Sequence, residues 1–294
     1  MRIIMGMTWK ELLRKRVMVL TLLMTVVFLI GFWFIAGTIG QSTMSQGSSI
    51  PTGEELLMRF TNGLFILSFG FFFGAFVIAF LAIFSSFSAI SGEAEQGVMQ
   101  ALLPRPIPRW KWYAGRWLGY VTLGIGYALI LFISILLITQ VHAAIPRDGL
   151  ALFKSFLLFA SIVPLLITIS MLGSGFFSAL GNGVFMTMLY GAGWLGGMID
   201  KVSSSLLSEP TALSTLNNMT GIMSLLMPVD GLQRRMTAEL FSINEMSGMF
   251  NGSSSSFGLV NFASVPSNTF IVYAIFYTLL AFLIGLYRFQ RKDL

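Results

Sequence analysis

Six long apolar runs with almost no ionisable group constrain this chain more than any other feature of its sequence. They cover about 17–40, 63–90, 117–139, 150–172, 183–199 and 269–287. A helix needs about 20 apolar residues to cross the hydrocarbon core of a bilayer. Lipid offers the backbone no hydrogen-bond partner, so each crossing segment must satisfy its own N–H and C=O groups. The one ionisable side chain within the runs is Lys154, close to the start of the fourth, where its ammonium can snorkel to the interface. The expected fold class is therefore all-α: an integral membrane protein with six transmembrane helices in one domain over 1–294.

Composition agrees, because only 10% of the residues are charged and 55% are hydrophobic, against about a quarter charged in soluble domains. The first run follows Lys10, Arg14, Lys15 and Arg16 as a signal peptide would. It is too long for a signal core of about 7–15 residues and reads as a retained span.

Orientation follows from Lys and Arg, which accumulate in cytoplasmic flanks. The N-terminus, the segment between the second and third runs, and the C-terminal tail hold twelve of them, and the opposite loops hold six. Acidic residues run the other way, four against eight. Both termini and the 91–116 segment are thus expected in the cytoplasm, with the protein multi-pass in the cell membrane. The net charge of +6 is accounted for by topology and contact with membrane lipid, and no nucleic-acid partner is expected.

Residues 1–16 place Ile3, Ile4, Met7 and Leu12 near one helical face. Two readings fit: a helix lying on the cytoplasmic interface, or a plain extension of the first span. Small residues repeat at four-residue spacing in Gly70/Gly74, Gly115/Gly119 and Gly193/Gly197, which suits close helix contact within or between chains. Pro164 should kink the fourth span, and Gly173, Ser174, Gly175, Gly181, Asn182 and Gly183 suggest a tight turn into the fifth. Residues 200–268 form the longest stretch outside the spans. Within it, 216–228 is apolar but too short to cross, so it reads as interfacial or re-entrant. Asp230 and Arg234 stand four apart, as on a short exposed helix, and 251–256 (NGSSSS) as a flexible loop.

Several chemistries lack their residues. There is no cysteine and a single histidine, His142, so a Cys or His cluster for metal or thiol chemistry is not available. Ser174, in the one Gly-Ser-Gly, has no intramembrane histidine to activate it. Carriers driven by ions usually keep ionisable groups near the membrane midplane, and the six runs have none there. No G-x-x-x-x-G-K-[ST] phosphate loop occurs, so no bound cofactor is expected and any ATP must be bound by a partner subunit.

The one large cytoplasmic loop is 90–111, ISGEAEQGVMQALLPRPIPRWK. Ser91 suits the cap of a short helix with Glu93 and Glu95 in its first turn. Val98, Met99, Leu102 and Leu103 supply an apolar face, and Pro104, Pro106 and Pro108 stop the helix. Trp110, Trp112, Tyr113 and Trp117 would then anchor the third span at headgroup level. Taken by itself, the segment fits either a docking element or an ordinary charged loop.

The order Glu93, Glu95, Gly97, Leu102, Leu103, Pro104, Arg105, Pro106 and Arg109 between spans two and three resembles the permeases of the ABC-2 exporter family. The family's common threonine after the glycine is Val98 in this chain. The resemblance extends over the whole sequence. It implies an N-terminal interfacial helix, a cytoplasmic coupling helix at 91–111, a second permease chain as homodimer or heterodimer partner, and a separate ABC ATPase subunit. On that reading the nine residues just named dock the ATPase and couple its motion to export, and the chain is a transport subunit without catalysis of its own. The alternative is a secondary carrier or channel without an ATPase; a membrane-embedded enzyme is a third.

Overall fold

The structure, a computed structural model, describes residues 2–44, 53–95, 108–143, 148–206, 210–241 and 266–291. Among them every regular element is a helix: α1 Arg2–Arg14, α2 Arg16–Met44, α3 Gly53–Ser86, α4 Ser91–Glu95, α5 Arg109–His142, α6 Gly149–Ser174, α7 Ala179–Leu206, α8 Pro210–Leu226, α9 Val229–Leu240 and α10 Asn268–Arg291. Five of them hold a stretch both long and apolar enough to cross a bilayer: α2, α3 from Arg59, α5, α6 and α10. The 28-residue α7 has the length. It is not among those five because Asn182 and its many glycines dilute its apolar character. It nonetheless packs antiparallel to α3, with Gly183 beside Phe87, Tyr190 beside Phe76 and Trp194 beside Phe72.

The ends at 16, 86, 109, 174, 179 and 291 meet on one face, called here the terminal face. α3 and α6 form the centre, and Phe71, Phe132 and Phe159 interlock there with ring centroids 5.0–5.8 Å apart. α2 and α10 lie at the periphery and turn Val19, Leu23, Val27, Val272, Phe276 and Leu283 outward. Lipid tails are as apolar as these side chains, so helices associate in a membrane through close packing and hydrogen bonds. All three pairs of spaced glycines serve contacts inside the chain. Gly70 and Gly74 face Phe32 and Ile135, Gly115 and Gly119 face Ile4 and Thr8, and Gly193 and Gly197 face Met227 and Asp230. α6 starts at Asp148, whose carboxylate accepts from the Leu150 N–H at 3.0 Å, and runs on through Pro164 as one helix.

The N-terminal segment is a helix of its own. α1 ends at a break at Lys15 and packs on the base of α5, while Ile3, Met7 and Leu13 stay exposed. Trp9 Nε1 donates to the Gly119 carbonyl at 3.1 Å and to Thr122 Oγ1 at 3.0 Å. Glu11 is paired with Lys15 at 2.8 Å and with the buried Arg116. Burial raises the Glu11 carboxyl, but the Lys15 hydrogen bond and the Arg116 charge outweigh it and hold the group below its ordinary 4.5. A depressed carboxylate contributes stability above its unfolded value and loses it as pH falls through the folded one. The α1–α5 contact is therefore expected to loosen as pH falls below 4.5. Trp9 emission, isolated by comparison with Trp9→Phe, should report the loosening, and Glu11→Gln should show the loosened signal already at neutral pH.

Residues 200–268 do not form a plain loop. Pro210, favoured in a first helical turn, opens α8; the chain turns at Met227–Pro228, and α9 returns antiparallel in sense to α8. The turn sits inside the bundle, with Met227 against Gly193 of α7 and the Leu226 carbonyl accepting from Tyr277 Oη of α10 at 3.1 Å. α9 lies along α6, where Ser155 Oγ donates to the Met236 carbonyl at 3.3 Å. The Asp230–Arg234 pair forms, at 2.8 Å, but its helix is not exposed: Asp230 is 6% and Arg235 9% accessible. Spacing alone shows that two charges share a helix face, not which way that face turns. Segment 251–256 lies outside the described residues.

Candidate functional site: the junction around the 91–108 segment

Two polar clusters fasten the ends of the 91–108 segment to the rest of the terminal face. At the entrance, the chain leaves α3 through a turn at 87–90 into α4. The buried Ser174 hydroxyl, in the last turn of α6, accepts from the backbone N–H of Ile90 at 3.0 Å and of Ser91 at 2.9 Å. These are donors that a short helix leaves unsatisfied at its start. The Ser91 hydroxyl contacts Ser174 Oγ at 3.1 Å, so the cap comes from another helix and not from Ser91 itself. The Gly-Ser-Gly serine is thereby a structural acceptor.

Asn182 completes this cluster. Its side-chain amide donates to the Phe87 carbonyl at 2.7 Å and to the Ser170 carbonyl at 2.8 Å, linking the ends of α3 and α6 to the first turn of α7. A Cβ at Gly173 would lie 2.2 Å from Asn182 Oδ1, so only glycine lets the amide in. The turn between α6 and α7 spans 175–178. Of the six residues expected to form it, only Gly175 lies there; the others stand within the helices and join them.

Glu95 sits at the far end of α4, and its Oε1 accepts from the Ala179 backbone N–H at 3.0 Å. That N–H is the first of α7, so the carboxylate occupies the positive end of the α7 dipole. Glu95 thus ties α4 to the fifth long helix, a partner remote in sequence. Glu93 lies in α4. Gly97, Leu102, Leu103, Pro104, Arg105 and Pro106 lie outside the described residues.

At the exit, Pro108 precedes α5 in an extended conformation, and Arg109 Nη1 donates to the Gln290 carbonyl at 3.2 Å. Trp112 stacks on Phe289 with centroids 5.1 Å apart, and Tyr113 packs on Phe289 and Phe282. Trp117 Nε1 donates to Thr168 Oγ1 at 2.8 Å. Of the four aromatic residues expected at headgroup level, only Trp110 is exposed; Trp112 and Tyr113 are buried in contact with α10. A basic and aromatic run reads alike whether its rings face lipid headgroups or a neighbouring helix.

Arg288 of α10 joins entrance and exit. Its Nε donates to the Gly175 carbonyl at 3.5 Å, and its guanidinium lies 3.5 Å from the centroid of the Phe176 ring. A cavity of about 10 Å³, lined by Ile90, Gly175, Gly285, Arg288 and Phe289, remains between them, scarcely the volume of one water. Among the described residues the helices at this point are therefore closely packed.

A second group of charges lies nearer the opposite face. Asp230 approaches Gly197 so closely that a Cβ there would lie 2.3 Å from its carboxyl carbon. At 1.5 Å per residue this point is about 27 Å along α7 from its terminal-face end. The six apolar runs lack ionisable groups at depth, but the hairpin brings one ion pair among them. Hydropathy did not find it because the pair lies on a polar helix in a connecting region. Among the described residues no group of three or more His, Cys, Asp or Glu is placed to hold a metal ion.

No curated protein matches this sequence. The family model described as ABC-2 family transporter protein matches residues 3–294, and the chain belongs to that family, as a permease of an ABC-type transporter.

Proposed function

We propose that this chain is the membrane-spanning subunit of an ATP-driven exporter, paired with a second permease chain and driven by a separate ABC ATPase docked on the 91–111 segment. The observation that carries the reading is the double clamp: Ser174, Asn182 and Glu95 hold the entrance of the segment to α6 and α7, Arg109 and Trp112 hold its exit to α10, and Arg288 ties α10 to the α6–α7 turn. A push on such a segment moves three helices together. The chain has no phosphate loop of its own, so the ATP is bound by the partner. In this reading α7 is a sixth span, the terminal face is cytoplasmic, and the protein lies in the cell membrane.

The deciding experiment is purification from native membranes. An ABC ATPase should co-purify, the complex should hydrolyse ATP, and the chain stripped of that subunit should not. Hydrolysis by the chain alone, or transport that persists without any ATPase, overturns the assignment.

Topology has its own test. A cysteine at Gly53 should react with an impermeant thiol reagent from outside intact cells, and one at Gln96 should react only after permeabilisation. Reversed labelling rejects the orientation.

One observation favours a second reading, a carrier or channel without an ATPase: the buried Asp230–Arg234 pair supplies an ionisable group inside the bundle. Transport driven by a proton or sodium gradient in ATP-free proteoliposomes, and abolished by Asp230→Asn, would select it.

A further inference from the structure

The last helix is held by polar contacts at both of its ends. On the terminal face, Gln290 accepts from Arg109, Arg288 reaches Gly175 and Phe176, and Phe289 stacks on Trp112. On the opposite face α10 holds the hairpin. Tyr273 Oη donates to the Leu225 carbonyl at 2.7 Å and Tyr277 Oη to the Leu226 carbonyl at 3.1 Å. These carbonyls belong to the last turn of α8, where a helix has no internal donors left for them. Arg235 of α9 donates to the Pro266 carbonyl at 3.2 Å and to Asn268 Oδ1 at 2.8 Å, and pairs with Glu239 at 2.6 Å. Gly231 of α9 faces the Phe270 ring, at a distance that leaves no room for a side chain.

Between these ends α10 meets its neighbours at Ala274, Ala281 and Gly285 and through Phe282, which packs on Tyr113 and Trp117 of α5, while Val272, Phe276, Leu279 and Leu283 face outward. Its 24 residues extend about 36 Å, more than the hydrocarbon thickness. A continuous helix fastened at both ends moves as a rod, so a shift at one end is delivered to the other.

We propose that α10 is the strut that carries displacement from the coupling junction to the α8–α9 hairpin, with Arg288 as the positioning residue at one end and Arg235, Tyr273 and Tyr277 at the other. The hairpin, whose turn sits between α7 and α10, is then the element that the coupling segment opens on the far side. For its meaning in transport this inference rests on the coupling role proposed for 91–111, but the strut itself is a property of this chain and is testable without an ATPase.

The test is hydrogen exchange of the full chain in lipid nanodiscs, read in the α9 amides with the α2 amides as control. Arg288→Ala should speed α9 exchange about fivefold, the lower end of common coupling between sites, and leave α2 unchanged; Arg288→Lys should stay near wild type. In a chain already unhooked from the hairpin by Tyr273→Phe, Tyr277→Phe and Arg235→Lys, adding Arg288→Ala should change nothing further in α9. Three results overturn the proposal: α9 exchange unmoved by Arg288→Ala, equal acceleration in α2 and α9, or the full Arg288→Ala effect persisting in the unhooked chain. Failure to co-purify an ATPase leaves this test intact, and failure of this test leaves the ATPase assignment standing.

Discussion

Asp230→Ala is expected to destabilise the chain by about 3–5 kcal/mol, the usual cost of removing one partner of a buried ion pair. Arg234, whose side chain is 16% accessible, would keep its charge and lose the carboxylate 2.8 Å from its Nε. The pair lies where α9 meets α7, so the hairpin should detach first, and thermal unfolding together with proteolysis of the 210–241 region would show it. Gly197 provides the control. A Cβ there would lie 2.3–2.4 Å from three Asp230 carboxylate atoms, so Gly197→Ala should also be destabilising. In the Asp230→Ala background the obstacle is gone and Gly197→Ala should cost much less than in the wild type, a non-additivity expected only of touching residues. Additive effects would mean that the hairpin does not sit against α7 as described.

The double reversal Glu93→Lys/Glu95→Lys is expected to weaken ATPase assembly or separate hydrolysis from export, with a coupling loss of about 1–3 kcal/mol, or 5- to 150-fold. The structure divides this effect by residue. Glu95 accepts from the first N–H of α7, so Glu95→Lys puts a cation at the positive end of that helix, and Glu95→Gln, which keeps an acceptor, should lose far less. Insertion should be unchanged, because added lysines strengthen the basic bias of that loop. The measurement is ATPase pull-down followed by substrate-stimulated hydrolysis and export in proteoliposomes. If Glu95→Lys assembles, hydrolyses and exports as the wild type does, the clamp at the entrance has no part in coupling.

The sequence by itself determined the class of the molecule. Long uncharged runs cannot be dissolved in water, and in lipid such runs have to be helices, so the apolar, all-helical character of the chain could be read without coordinates. The polar break at 91–111 was also legible, because proline, paired acids and basic residues are disfavoured in the hydrocarbon. Contacts between distant residues were not legible. Nothing local to Ser174 says that its hydroxyl caps residues 90 and 91, or to Glu95 that its partner is the Ala179 N–H. The three glycine pairs announced close approach but not the neighbours, which proved to be α1, α2, α5 and the hairpin. Only the tertiary structure decided that Asp230 is buried and Arg234 partly so, because a polar helix in a connecting region has the same hydropathy whether it rests on the surface or folds into the bundle. Periodicity records which residues share a face, and burial depends on what the remaining helices bring to that face.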